Sequence, residues 1–457
     1  MDERLRLFFS PKSVAVIGAS NNPSKLGYTL FRNLKNYRGK VYPVHVREKE
    51  IQGVKVLGKS VLELPEPIDL AVIVTPAKTV PEILNECGQK GIEAVIVITA
   101  GFSEIGNVEL EKRIVEIAND YNMRLLGPNC VGIMDTKTGL NATFVTPAKP
   151  GRTAFVSQSG ALGAAVIYKC VKENIGFSKF ISLGNMADVN FADILEYLAW
   201  DENTNAIALY MEGVKKGQEF MKKAKEAVKQ KPVIVLKAGK STAGARAVAS
   251  HTGSLAGAYT IYKAAFKQSG VITANGIEDM LSMARSFDQP PAKGNRVAIL
   301  TNAGGPGVLT TDAVQDYGLT MADLNEKTVK RLKEILPPIA SLHNPIDILA
   351  SGDGEKYEEV SRILLEDENV DILIVICVVP TFAEMTRTEH AEGVIRALKS
   401  QGNKKPVLAL FMAGEVSLKA KELLEKNGIP TYENPANVAA AAYALYAYGK
   451  NVGKWIV

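Results

Sequence analysis

His251 stands in the run VASHTGSLAG, where Gly, Ala and Ser dominate and few large side chains are available for packing. Imidazole is a good nucleophile near neutral pH, and it accepts a phosphoryl group on one ring nitrogen when a hydrogen-bond acceptor orients the other. Glu212, in LYMEGV, is the candidate acceptor. On these two residues alone the ordinary alternatives stand: a histidine solvated in a loop, and a carboxylate at a strand end in water.

Three glycine-rich turns are candidate anion sites. SQSGALG (157–163) and NAGGPGVL (302–309) follow apolar strands and open helices, so Ser159-Gly160 and Gly305-Pro306 offer unpaired backbone N–H groups at helix starts. Tight glycine turns also serve packing in many α/β folds, yet two equivalent turns in related domains could share one phosphate. The third turn, GASNNPSKLG (18–27), follows the first strand and departs from GxGxxG. A NAD-binding unit places an acidic residue at the end of its second strand. Here VHVREKE puts His45 and Arg47 ahead of Glu48, which suits a phosphorylated ribose such as that of CoA or NADP. An NADP-dependent dehydrogenase is therefore one rival reading, and Lys25 and Arg47 are otherwise solvated charges.

The elements that must position these residues are legible as apolar runs. SVAVIG, KVYPVHV, DLAVIVTP, AVIVITAGF and RLLGPNCVG alternate with amphipathic stretches up to the Pro/Gly-rich 146–152, the pattern of a parallel sheet covered on both faces by helices. After residue 150 the chain repeats itself. GRTAFVSQSGALG (151–163) matches GNRVAILTNAGGPG (294–307), DENTNAIALYMEGV (201–214) matches DENVDILIVICVVP (367–380), and KPVIVLKAG (231–239) matches KPVLALFMAG (405–414). Three matches in one order indicate two copies of one α/β fold. The copies differ where chemistry would sit: Glu212 has Val378 opposite it, and the glycine-rich His251 run has a plain amphipathic helix. The expected domains are 1–147, Rossmann-like; 148–289, flavodoxin-like with His251; and 290–457, a second flavodoxin-like copy.

Composition narrows the class. With 457 residues the chain exceeds one hydrophobic core. Its 54 Lys+Arg against 49 Asp+Glu are scattered, with no basic tract for a nucleic-acid backbone. The longest apolar stretch, 372–380, is far short of the roughly 20 residues that span a bilayer, and MDERLRLFFSPKS carries no signal-peptide core, so a cytoplasmic protein is expected. Cys87, Cys130, Cys170 and Cys377 lack CxxC spacing, which argues against zinc and against a disulfide framework.

The motifs VAVIGAS, VIVTPA, ITAGFSE, GPNCVGI, VSQSGALG, LYMEGV, SHTGSLAG, TNAGGPGVL and NPIDI together resemble the NDP-forming acyl-CoA synthetase superfamily, which includes succinyl-CoA synthetase, over nearly the whole chain. The order of units is similar to that of the alpha subunit of ADP-forming acetate-CoA ligases. That resemblance implies that His251 is transiently phosphorylated, that Glu212 orients it, and that Ser159, Gly160, Gly305 and Pro306 hold phosphate. It also implies a CoA site lined by Gly18, Ser20, Lys25, Val74, Pro76, Ile98 and Asn129, with Cys130 near the thioester. No segment remains for an ATP-grasp domain, so Mg-ADP/ATP is expected on a separate beta subunit, in an α2β2 heteromer. Acyl-CoA, phosphate and ADP would yield acid, CoA and ATP through an acyl phosphate and phosphohistidine. A relative acting on succinate or an aryl acid, or a regulatory or acetyltransferase-type CoA-binding protein, is the alternative.

Overall fold

The computed structural model describes residues 2–455 apart from 66, 253–258, 380–387, 403 and 413; the side chains of 249–252, 454 and 455 also lie outside the description. The chain forms two compact units, Met1–Thr273 and Ala274–Val457.

The first unit carries two sheets. In the first, β1 (Ser13–Ile17), β2 (Lys40–Val44), β5 (Leu70–Ile73), β6 (Ala94–Val97) and β7 (Arg124–Leu126) pair in the order β2-β1-β5-β6-β7; a short ribbon, β3 (Glu50–Ile51) with β4 (Val54–Lys55), lies between β2 and β5 in the chain. All pairings within the five-stranded sheet are parallel. Every residue of β1, β5 and β6 is buried, which is why these strands read as unbroken Val/Ile/Ala runs rather than as alternating ones. The order reverses between β1 and β5, and in such a sheet the crevice at the carboxyl ends of those two strands is where ligands bind.

The second sheet comprises β8 (Gly132–Asp135), β9 (Leu140–Thr143), β10 (Pro150–Ser157), β11 (Phe177–Ser182), β12 (Ala206–Met211), β13 (Val233–Lys237) and β14 (Ile272–Thr273), ordered β14-β13-β12-β10-β11-β8-β9. Its hairpin β8–β9 pairs antiparallel to β11, so the hydrogen-bonded boundary between the two sheets falls near residue 130, and the Pro/Gly-rich 146–152 leads straight into β10. A fully buried ammonium locks this edge: Lys179 Nζ lies 3.0 Å from Asp135 and 2.8 Å from Asp201.

The second unit holds β15 (Arg296–Thr301), β16 (Thr320–Met321), β17 (Ile346–Asp347), β18 (Ile372–Val378), β19 (Val407–Met412) and β20 (Thr431–Tyr432), in the order β16-β15-β18-β19-β20 with β17 also on β15. Read from its far edge, β20-β19-β18-β15-β16 reproduces β14-β13-β12-β10-β11, which is the sequence repeat expressed as topology. The correspondence reaches single hydrogen bonds. Gln158 Oε1 accepts from Glu212 N at 2.8 Å, and Asn302 Oδ1 accepts from Val378 N at 2.9 Å; Ser157 Oγ donates to Ser159 O, and Thr301 Oγ1 to Ala303 O.

The glycine-rich run before His251 begins as a helix, Thr242–Thr252, where the sequence reading expects little packed structure. TAGARAVASHT is rich in alanine, the best helix former, and Ser241 supports its start by accepting from Gly244 N at 3.0 Å. The imidazole of His251 and residues 253–258 lie outside the described residues.

Candidate functional site

At the carboxyl ends of the first sheet the chain after β1 turns sharply through Gly18, whose φ of 95° is a conformation that L side chains rarely adopt. The following helix, Leu26–Leu34, comes so close that a Cβ on Gly27 would lie 2.1 Å from Gly18 O. This contact leaves the GASNNPSKLG turn open on its other side, over a cavity of about 1120 Å³ within the first unit.

Nine of the residues expected above to hold CoA or phosphate meet on that cavity. Gly18, Ser20 and Lys25 come from the first turn, Val74 and Pro76 from the end of β5, Ile98 from the end of β6, Asn129 from the GPNC turn, and Ser159 and Gly160 from the turn after β10. His45 lines it too, and its Nδ1 accepts from the backbone N–H groups of Arg47 and Glu48, so its Nε2 is the ring nitrogen that carries hydrogen. Arg47, offered above as a ribose-phosphate contact, is not among the lining residues.

The start of the helix Gly160–Lys172 also lines the cavity. Ser159 is its N-cap and accepts from Leu162 N, while the first N–H groups of the helix face no carbonyl of their own turn. Gly163 lets the helix sit on the sheet, since a Cβ there would lie 2.9 Å from the Phe180 ring. In the second unit, Gly305 and Pro306 fall in the first turn of the helix Gly304–Asp316, which starts after Ala303.

Glu212 lies just past the end of β12 and is 8% exposed. Its backbone N–H and that of Gly213 both donate to Gln158 Oε1, which ties the Glu212 turn to a residue of the cavity wall. Burial pushes the Tyr210 hydroxyl up to about 12, and the Glu212 charge adds to that. On the neighbouring strand Lys237 is 4% exposed, donates to Ala238 O at 2.6 Å and stands 4.5 Å over the Tyr262 ring. Burial lowers the Lys237 pKa, and the Glu212 carboxylate opposes that shift. Lys237 and Gln158 were missed by the sequence reading. The signal for Lys237 was the same one that marked Glu212: β12–β13 pairs Met211 with Lys237, where the sister copy pairs Cys377 with the apolar Phe411.

Cys130 also lies on the cavity, but its thiol donates to Val97 O at 3.3 Å, and burial pushes it up to about 12. The thiolate form is inaccessible near neutral pH, so this cysteine is a packing group. Among the described residues no group of three His, Cys, Asp or Glu side chains could hold a metal ion.

Comparison with known proteins bears on these features. Residues 12–136 match a CoA binding domain, 150–287 a succinyl-CoA ligase like flavodoxin domain, and 297–454 a ligase-CoA domain. The alpha subunit of acetate–CoA ligase [ADP-forming] II of Pyrococcus furiosus is 64% identical over 98% of this chain and 99% of its own. The chain belongs to the ADP-forming acetate–CoA ligase family. Within that family it is 45% identical to acetate–CoA ligase [ADP-forming] I of Archaeoglobus fulgidus, over 97% of this chain but 64% of that longer one. The structure superposes on a dinucleotide-forming acetyl-coenzyme A synthetase of Ca. Korarchaeum cryptofilum, solved with phosphate and ADP, with a TM-score of 0.93, 39% identity and full coverage of both chains. Its fold is thus that of the family throughout: a CoA-binding domain followed by two flavodoxin-like ligase domains.

Proposed function

We propose that this chain is the alpha subunit of an ADP-forming acetate–CoA ligase, in which His251 is the residue phosphorylated. The observation that carries the reading is the single cavity that joins the Gly18 turn to the start of the Gly160–Lys172 helix. CoA is extended, with phosphates at one end and a thiol at the other. A cleft running from a glycine turn, Lys25 and His45 to a second anion-binding helix start suits a thioester and an attacking phosphate in one enclosure.

The reaction then needs little from the protein beyond positioning and charge stabilisation. An oxygen of phosphate, held at Ser159 and Gly160, bonds to the thioester carbonyl carbon; the C–S bond breaks and CoA leaves with the electron pair. His251 accepts the phosphoryl group from the acyl phosphate and releases the acid. Glu212 orients the imidazole, with the buried Lys237 on the neighbouring strand. Gly305 and Pro306 supply the corresponding helix start in the second ligase domain. The nucleotide, with magnesium, belongs on an ATP-grasp beta subunit; support comes from the alpha-subunit names of two relatives and from the longer single-chain relative. The assembly is α2β2 and cytoplasmic in this reading.

Incubation of the full chain with acetyl-CoA and radiolabelled phosphate tests it. Acid-labile label on His251, absent from His251→Asn, is expected; label unaffected by that substitution overturns the assignment. ATP synthesis from ADP should require the partner, and vigorous synthesis by the chain alone would remove the need for a beta subunit.

A further inference from the structure

The turn GPNC and the loop LGNM are stitched together along their backbones. Asn185 N donates to Pro128 O at 3.0 Å, Ala187 N to Gly127 O at 3.0 Å, and Val189 N to Leu125 O at 3.1 Å. Gly184 permits the approach, since a Cβ there would lie 2.2 Å from Pro128 O and 2.5 Å from Asn129 O. Asn129 itself is held at φ 57°, a left-handed conformation, with its N–H on Thr99 O. Asn129 is thereby held on the wall of the cavity that Gly160 also lines.

A second set of contacts fixes the orientation of the Asn129 side chain. Asn185 Nδ2 lies 2.7 Å from Glu104 Oε2, 2.7 Å from Glu111 Oε2 and 3.2 Å from Ser103 Oγ. Carboxylates only accept, so the amide nitrogen of Asn185 must face them and its oxygen must face the other way. That oxygen accepts from Asn129 Nδ2 at 3.2 Å, which in turn sets the amide of Asn129. Glu104 is anchored by the N–H groups of Gly101 and Phe102, and Glu111 by the hydroxyl of Ser103. Among the described residues, Asn129 Nδ2 makes this one hydrogen bond and keeps its second hydrogen. The turn Ser103–Ile105 at the base of the network also lies against the helix Thr242–Thr252, whose penultimate residue is His251.

We infer that Asn129 donates its free N–H to the thioester carbonyl oxygen as phosphate attacks, and that Asn185 is the positioning residue that aims it. This rests on the reading given under Proposed function. When the phosphate oxygen bonds to the carbonyl carbon, the π pair moves to the carbonyl oxygen; when the carbon–oxygen double bond re-forms, the C–S bond breaks and its pair leaves on sulfur. The transient oxyanion needs a donor that is already oriented. An amide held by two carboxylates through a second amide meets that need without reorganising.

The test separates the two half-reactions in the full chain. Acyl phosphate formed from acetyl-CoA and phosphate is trapped with hydroxylamine, and transfer to the chain from added acetyl phosphate is followed separately, because it bypasses the thioester. Removing one oxyanion donor lowers turnover by about 10²–10³-fold, so Asn129→Ala should lose that much in the thioester step, with the loss far exceeding any in phosphorylation by acetyl phosphate. Asn185→Ala keeps the donor but loses its aim, and should lose about 10–100-fold in kcat of the same step, with KM for acetyl-CoA and CoA affinity by calorimetry close to wild type. Equal losses in both half-reactions, or a change confined to CoA affinity, overturn the assignment and leave Asn129 as part of the wall. Wild-type chain that forms neither acyl phosphate nor phosphohistidine overturns the reading beneath it, whatever the variants do.

Discussion

A cysteine on the wall of the cavity proposed to hold a thioester invites the idea of a covalent intermediate, and the environment of Cys130 argues against one. Its thiol is buried, donates to a backbone carbonyl and is pushed up to about 12 by that burial. Cys130→Ala should therefore keep phosphorolysis within about threefold of wild type, and the native chain should resist iodoacetamide at about pH 8, where almost no thiolate exists. The buried triad at Lys179 makes a different prediction. Lys179→Met would leave Asp135 and Asp201 buried without their cation, which should cost about 3–5 kcal/mol in urea unfolding. Burial alone would raise the Asp201 carboxyl, but the hydrogen bonds from Lys179 and Thr204 outweigh it and hold it below the usual range. The folded state thus binds the Asp201 proton more weakly than the unfolded one. Its stabilisation is present above the unfolded carboxylate value of about 3.9 and is lost as pH falls through the lower folded value. Unfolding followed into acid should show a shallower fall in Asp201→Asn than in wild type.

At the scale of elements, close approaches of backbone to backbone set where each turn sits. Gly27→Ala would press a Cβ on Gly18 O and push the Leu26–Leu34 helix off the glycine turn. Backbone displacement of this kind costs about 1–3 kcal/mol. CoA affinity, measured by calorimetry, should weaken more than tenfold, because the turn and Lys25 move with the helix. A variant that binds CoA as wild type does would show that the turn is not part of the binding surface. The Thr242–Thr252 helix illustrates a reading that failed at this scale. Its glycine and serine content suggested an open loop, whereas alanine propensity over its first turns prevails.

For the whole molecule, the decisive feature is that, among the described residues, those lining the cavity all belong to the first unit, which has its own pair of sheets and a core of its own in the CoA-binding domain. Residues 1–273 expressed alone should bind CoA within about threefold of the full chain, yet should not support ATP synthesis with a beta subunit if the second ligase domain contributes to transfer. Loss of CoA binding in a folded 1–273 fragment would place part of that site elsewhere. No helix among the described residues is long and apolar enough to cross a membrane.

Much of this protein was legible in one dimension because period and repetition are local properties. Unbroken Val/Ile runs announce strands buried on both faces, and two copies of one fold printed twice allow each residue to be compared with its counterpart. That comparison isolated Glu212 against Val378, and read one strand further it isolates Lys237 against Phe411. The glycine turns at Gly18 and Ser159-Gly160 were equally readable as turns that end a strand and lead to a helix, since small residues cluster there. What the chain order could not decide was which distant residues share a wall. Asn129 and Asn185 are 56 positions apart, and their amides meet only because the GPNC turn and the LGNM loop are zipped backbone to backbone. Nothing in the sequence marks Glu104 or Glu111 for this role; folding turns both onto one amide nitrogen and so fixes the direction of a hydrogen bond. Hydrogen-bond direction and side-chain convergence depend on three-dimensional closure, which tertiary structure alone supplies.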